Sequence, residues 1–356
     1  MKKLYKDIRF TKGILTLTAG LLIAGCSAED ELGNNSSAQQ LNMIPMVNDL
    51  QKSRANDEDA LHEKTLSKLD FQMFEPESGK CCVNHQSSSP AEKQAEVLGK
   101  DNWKVDLNLQ EDHSYNYYAV ANAQADLSKK TLEELQAATQ QDNDIWQPYP
   151  QAKDKKFLMS AKGQYIISKD PIQDIPVELV RAAAKIKLNL SSSVNGYNIT
   201  NVKWKFLNYN TNTSVFAGQT ATPNIMSNNE DNTVDKIEAN KCSVTTYSYS
   251  TTWTSQEDAP KIAVKVVFQS KDNKNDTREK ELTIPVRDPK GEKKLERNYI
   301  YTVNADIKRL KDNINIDYDK ELGYLKWAIT KWTTGEDTEV DADKASYLVV
   351  YPTKLD

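Results

Sequence analysis

Residues 182–190 read Ala-Ala-Ala-Lys-Ile-Lys-Leu-Asn-Leu, and residues 202–206 read Val-Lys-Trp-Lys-Phe. In the first stretch Ala182, Ala184, Ile186, Leu188 and Leu190 share one face, with Lys185 and Lys187 on the other. In the second, Val202, Trp204 and Phe206 alternate with Lys203 and Lys205. An extended chain points successive side chains to opposite faces, so each stretch reads as a strand with one dry and one wet side. The pattern recurs at Ile262, Val264, Val266 and Phe268, and again at Tyr299, Tyr301, Val303, Ala305 and Ile307. Polar, turn-rich stretches such as Asn208–Asn212 and Asp272–Asp276 separate them. Repeated half-buried strands with turn punctuation indicate a β-sandwich.

Working back from this block, Leu69, Phe71 and Met73 share a face within Leu66–Phe74. Trp103, Val105, Leu107 and Leu109 alternate with polar residues, and Tyr115–Asn122 is a Tyr-rich strand. Phe157–Ala161 and Tyr165–Ser168 read as two short strands around a turn. Ser89-Pro90-Ala91-Glu92 has the chemistry of a helix start, with a stop near Gly99. Thr131–Thr139 is a second short helix, with Thr131 as cap and Glu134 reaching back. A break near Ile175-Pro176 divides the 356 residues into two halves of ordinary domain size. The expected fold is mainly β: two tandem β-sandwich domains of transthyretin-like or Greek-key type, at 55–177 and 178–356, with a few short helices.

The N-terminus carries an address. Lys2, Lys3, Lys6, Arg9 and Lys12 precede an apolar core, Ile14–Gly25, that is too short to span a bilayer. Ile23-Ala24-Gly25-Cys26 resembles a bacterial lipobox, which implies removal of residues 1–25 and acylation of Cys26. Residues 26–54 then form a polar tether followed by a short apolar segment, in which Leu41, Met43, Ile44 and Met46 surround Pro45. Proline has no backbone donor, so this strand belongs at a sheet edge or end. Arg54-Ala55 opens a polar stretch over residues 56–64 that reads as solvated linker.

Chemistry-bearing constellations are sparse. The chain has three His, a net charge of −5 and no long basic stripe, which argues against a nucleic-acid partner. It contains no Gly-rich phosphate loop, nucleophile elbow or paired-His metal motif, so no catalytic residue, metal or cofactor is expected, and the chain is not read as an enzyme. Glu230-Asp231 and Asp317-Tyr318-Asp319 lack the spaced ligands and loop glycine of a Ca²⁺ site. Cys81, Cys82 and Cys242 are odd in number, so they read as a loop disulfide to Cys242 or as free thiols. Trp327 and Trp332 could form a carbohydrate platform, although aromatics in a β domain more often fill the core.

Four segments, taken in order, resemble the fimbrillin family, the lipoprotein-derived subunits of type V pili. They are the lipobox with tether, strand and Arg54-Ala55; the strand ending Ala119-Val120-Ala121-Asn122; Phe157-Leu-Met-Ser-Ala161 with Glu178-Leu-Val-Arg181-Ala-Ala-Ala-Lys185-Ile186; and Asn298-Tyr299 to Ile307 with Lys326-Trp327 and Lys331-Trp332. Ala161 stands where the family usually has Gly. The resemblance implies a structural subunit at the cell surface, tethered to the outer membrane as a lipoprotein precursor. An arginine-specific protease would cut after Arg54 and release the strand holding Leu41, Met43, Ile44 and Met46. A donor strand from a neighbouring subunit would then fill the vacancy. Tyr347, Leu348, Val349, Val350 and Tyr351, within residues 345–356, are the candidate donor. The implied partners are other fimbrial subunits and host or bacterial adhesion receptors, in adhesion and biofilm formation. The alternatives are a monomeric surface glycan-binding lipoprotein, or a tip or anchor accessory subunit.

Overall fold

The computed structural model describes residues 40–47, 63, 65–88, 104–105, 109–148, 156–170, 172–287, 292–310 and 326–331. The expectations at Cys26, Arg54, Ala55, the helix at 89–99, Asp317–Asp319, Trp332 and Tyr347–Tyr351 lie outside these residues.

The first sheet draws all its strands from residues 40–181. In chain order these are β1 (Gln40–Val47), β2 (Lys68–Phe74), β3 (Cys81–Ser88), β4 (Lys104–Val105) and β5 (Ser114–Ala121). A short helix α1 (Leu132–Gln136) and a strand β6 (Thr139–Gln141) follow, then β7 (Met159–Ile166) and β8 (Ile172–Arg181). The sheet order is β1-β8-β7-β5-β2-β3-β4. Leu69, Phe71, Met73, Ala119, Ala121 and Met159 are fully enclosed, and they occupy matching registers on β2, β5 and β7. Thr131 caps α1 by accepting the Glu134 N–H, while the Glu134 carboxylate takes the Thr131 N–H, as the spacing predicts. The helix is shorter than expected, because Thr139 already belongs to β6.

Two further expectations are corrected here. Phe157–Ala161 and Tyr165–Ser168 are not two strands around a turn; the chain runs through Lys162-Gly163-Gln164 as the single strand β7. Gly163 serves close approach, not turning: a Cβ there would sit 2.8 Å from the ring of Tyr117, its cross-strand partner. Of the alternation over Trp103–Gln110, Lys104–Val105 pairs with β3, and Leu109 is buried outside any strand.

The second half opens with β9 (Ala183–Ser192), β10 (Tyr197–Leu207), β11 (Tyr209–Asn210), β12 (Asn212–Ser214), β13 (Ile225–Met226) and β14 (Asn232–Thr233). It continues with β15 (Lys241–Tyr249), β16 (Thr251–Thr252), β17 (Lys261–Ser270), β18 (Thr277–Pro285), β19 (Lys294–Leu295), β20 (Tyr299–Ile307) and β21 (Lys326–Lys331). Two four-stranded sheets result, β14-β10-β17-β18 and β15-β9-β20-β21. Their strands alternate as the sequence indicates. Val202, Trp204, Phe206, Ile262, Val264, Val266 and Phe268 are buried on one sheet, and Ile186, Leu188, Leu190, Tyr301, Val303, Ala305 and Ile307 on the other. The opposite faces carry Lys203, Lys205, Lys265, Lys185 and Lys187. The molecule is a mainly β protein of sandwich type.

The halves are stitched together. β6 pairs with β12, and Ser160 Oγ donates to Val215 O at 2.7 Å. Within the second half, Arg297 forks onto β12 and the residue after it, reaching Ser214 O at 2.7 Å, Thr213 Oγ1 at 2.9 Å and Val215 O at 3.2 Å. Burial lowers this guanidinium to about 10. The apolar interior runs through both halves as one cluster.

Candidate functional site

The short apolar segment with Pro45 is β1, and it lies at the end of the first sheet, where a proline is tolerated. It runs parallel to β8 from Gln40↔Ile172 to Val47↔Leu179. This register sets Met43, Pro45 and Val47 beside the buried Ile175, Val177 and Leu179, and sets Ile44 and Met46 beside the exposed Pro176 and Glu178. The segment expected to leave is therefore in place, and its four named residues divide between two register classes.

β8 is the element that sequence reasoning missed. Ile175-Pro176 looked like a break between domains, yet both residues lie inside a ten-residue strand that crosses the expected boundary at 177/178. The alternation of Ile175, Val177 and Leu179 with Pro176 and Glu178 was the available signal, and Pro176 obscured it. β8 follows β7 only briefly. Only its last two residues pair with β7, Arg181 with Met159 and Val180 with Ser160; along Ile172–Leu179 β8 pairs instead with β1, and it also approaches β5. Between the diverging strands lies a groove of about 450 Å³, bordered by Tyr117, Ser160, Ala161, Glu178, Val180 and Phe216. Burial, aided by the nearby Glu178 charge, raises the Tyr117 hydroxyl above its ordinary range. Along Ala161–Ile166 the edge of β7 away from β5 has no strand partner among the described residues. Ile166 at the end of that edge is 62% exposed. A strand edge with apolar surroundings is a template for another extended chain.

At its C-terminal end β8 meets a buried polar centre. Arg181 Nε donates to Glu63 O at 2.8 Å. The Glu63 carboxylate accepts the Tyr247 hydroxyl at 2.6 Å and pairs with Lys185 Nζ at 2.8 Å. Glu63, Arg181 and Tyr247 are all buried. This corrects the reading of residues 56–64 as solvated linker at Glu63. No local signal marks that residue, because its partners lie more than a hundred positions away.

The remaining candidates disperse. Asp231 bridges Lys203 and Lys205 on the outer face of the second half. Cys81, Cys82 and Cys242 form no disulfide among the described residues; the first two lie in β3 and not in a loop, and Cys82 is the extra residue of a bulge opposite Met73 and Phe74. Burial raises Cys242 to about 11. Trp327 lies in β21, in register with Val303 of β20.

A mainly β chain whose first described strand lies at the edge of its sheet is similar to several solved structures. A candidate cell adhesion protein from Parabacteroides distasonis is 16% identical, with a TM-score of 0.54 over 91% of this chain and 99% of that one. The fimbrilin FimA of Porphyromonas gingivalis W83 is 13% identical, with a TM-score of 0.58 over 83% of this chain and 98% of that one. These structures share the fold of this chain, and the second is a fimbrilin, the family that the sequence motifs resemble. No protein-family model and no curated protein matches the sequence.

Proposed function

We propose that this protein is a structural, non-enzymatic subunit of a cell-surface fimbrium that polymerises by strand exchange with other fimbrial subunits. It is exported as an outer membrane lipoprotein through Cys26 and matured after Arg54 by an arginine-specific surface protease. β1 then leaves, and the vacated edge of β8 receives Tyr347–Tyr351 of a neighbouring subunit. The donor lies within residues 345–356, and the polymer serves adhesion and biofilm formation. The observation that carries this reading is the position of β1: a terminal strand that, among the described residues, is joined to the sheet through β8. Losing it bares the backbone of β8 and the flank of Ile175, Val177 and Leu179. Each such side chain is worth roughly 1.5–3 kcal/mol when reburied. A head-to-tail contact of this kind propagates as an open filament.

N-terminal sequencing of assembled surface material tests the proposal. Fibres whose subunits begin at Ala55 are the expected result, and Arg54→Ala should leave a lipidated monomer beginning at Cys26. Filaments of normal length from Arg54→Ala would overturn the cleavage step. A lipidated wild-type monomer as the sole surface form would favour the glycan-binding lipoprotein instead.

A further inference from the structure

β8 has two kinds of support. Along Ile172–Leu179 its strand partner among the described residues is β1, whereas Val180 and Arg181 pair with Ser160 and Met159 of β7. Arg181 is also fixed from outside the sheet, through its bond to Glu63 O. Glu63 is in turn held by Lys185 on β9 and Tyr247 on β15, which face each other in register. The ring of Phe157 packs against Tyr247 at 4.8 Å, and the chain leaving β8 is tied to the same neighbourhood by Ala182 N–H donating to Leu158 O at 2.8 Å. A carboxylate withdrawn from water is tolerated only when paired, and removing one partner of such a cluster is strongly destabilising. The cluster therefore acts as a fixed point joining three places: the chain entering β2, the end of β8, and the sheet of the second half.

We propose that Glu63, Arg181, Lys185 and Tyr247 form a retaining clasp that keeps the end of β8 docked when β1 departs. All four residues lie downstream of Arg54, so every part of the clasp stays with the matured chain. Without it, the strand pairing that holds a β8 stripped of β1 would be reduced, among the described residues, to two residue pairs with β7. With it, the strand stays pinned and its bared edge remains in place as a template. The inference rests on the strand-release reading above, and it concerns positioning residues, not residues that touch the incoming strand.

Backbone hydrogen exchange in the full chain tests it, using wild type, Met43→Asp, Glu63→Gln and the double variant. Met43→Asp places a charge at the register of the buried Ile175 and should speed exchange over 172–179 at least tenfold, leaving Val180 and Arg181 within twofold of wild type. The double variant should speed exchange at Val180 and Arg181 at least tenfold beyond Met43→Asp alone. If those two amides open in Met43→Asp with Glu63 intact, or if the double variant adds nothing, the clasp is refuted. Should Glu63→Gln fail to fold, Tyr247→Phe, which deletes one donor at nearly constant volume, carries the same test, with the same two refuting outcomes. Filament assembly is scored separately. Wild-type chains that are cut after Arg54 yet stay monomeric would end the subunit reading and leave the exchange result standing.

Discussion

Asn122 closes β5 with φ of 60°, in the left-handed region that most side chains avoid. Its amide carries four hydrogen bonds: Oδ1 accepts Ser67 N–H at 2.9 Å and Ser67 Oγ at 3.1 Å, and Nδ2 donates to Thr65 O at 2.7 Å and Phe157 O at 2.9 Å. Asn122→Ala should lose both backbone fit and bonding, about 2–4 kcal/mol in all, while Asn122→Gly should recover roughly 1 kcal/mol of it through its backbone freedom. Urea unfolding of the pair checks this; equal loss would show that the conformation contributes nothing. Asp70 gives a pH dependence. Burial raises its carboxyl above the ordinary value, against the opposing effects of Gln86 at 2.8 Å and Lys68 at 3.3 Å. A folded value above the unfolded one makes its contribution most favourable below the ordinary carboxylate range, and that contribution shrinks as pH rises through the raised value. Asp70→Asn should therefore compare better with wild type near about pH 7 than near about pH 3. Identical differences at both would refute the assignment. Asn122 was legible as a strand end but not as a hub, and Asp70 was legible only as one polar position of an alternating strand. Both take their partners from distant segments.

Among the elements, the strands of the second half could be read from the sequence because each buries one face only, and period two survives in their composition. β7 and β8 were harder for opposite reasons. Gly163 and Pro176 usually punctuate turns, yet here one makes room for Tyr117 and the other lies in a strand next to the edge, beside Ile44. A side chain at Gly163 would collide with the Tyr117 ring. Gly163→Val should cost about 1–3 kcal/mol as the ring is pushed aside and the β7–β8 groove reshaped. A thermal midpoint unchanged from wild type would count against the close approach. The helix α1 was legible because its capping box is entirely local. The pairing of β1 with β8 was not, since parallel partners need a long connection and their meeting is decided by the whole sheet.

At the scale of the whole molecule, the second half is built on two four-stranded sheets, while the first sheet ends in β1. Polymer formation should then need both ends of the chain. Deleting Tyr347–Asp356 is expected to leave a correctly folded subunit that accepts a neighbour but cannot donate, so mixtures with wild type should yield shorter filaments. Unchanged filament length on electron microscopy would remove the donor assignment. The register of β1 carries a further consequence for this assembly. Over Met43–Val47 the existing strand is apolar in both register classes, and Tyr347-Leu348-Val349-Val350-Tyr351 likewise lacks polar–apolar alternation. As the proposed donor, a tail without alternation would read equally well in either phase and would carry no password by which one subunit could refuse another. Kinship in such a fibre would be decided by reach and geometry, and stalks of mixed parentage would be a natural outcome of the architecture.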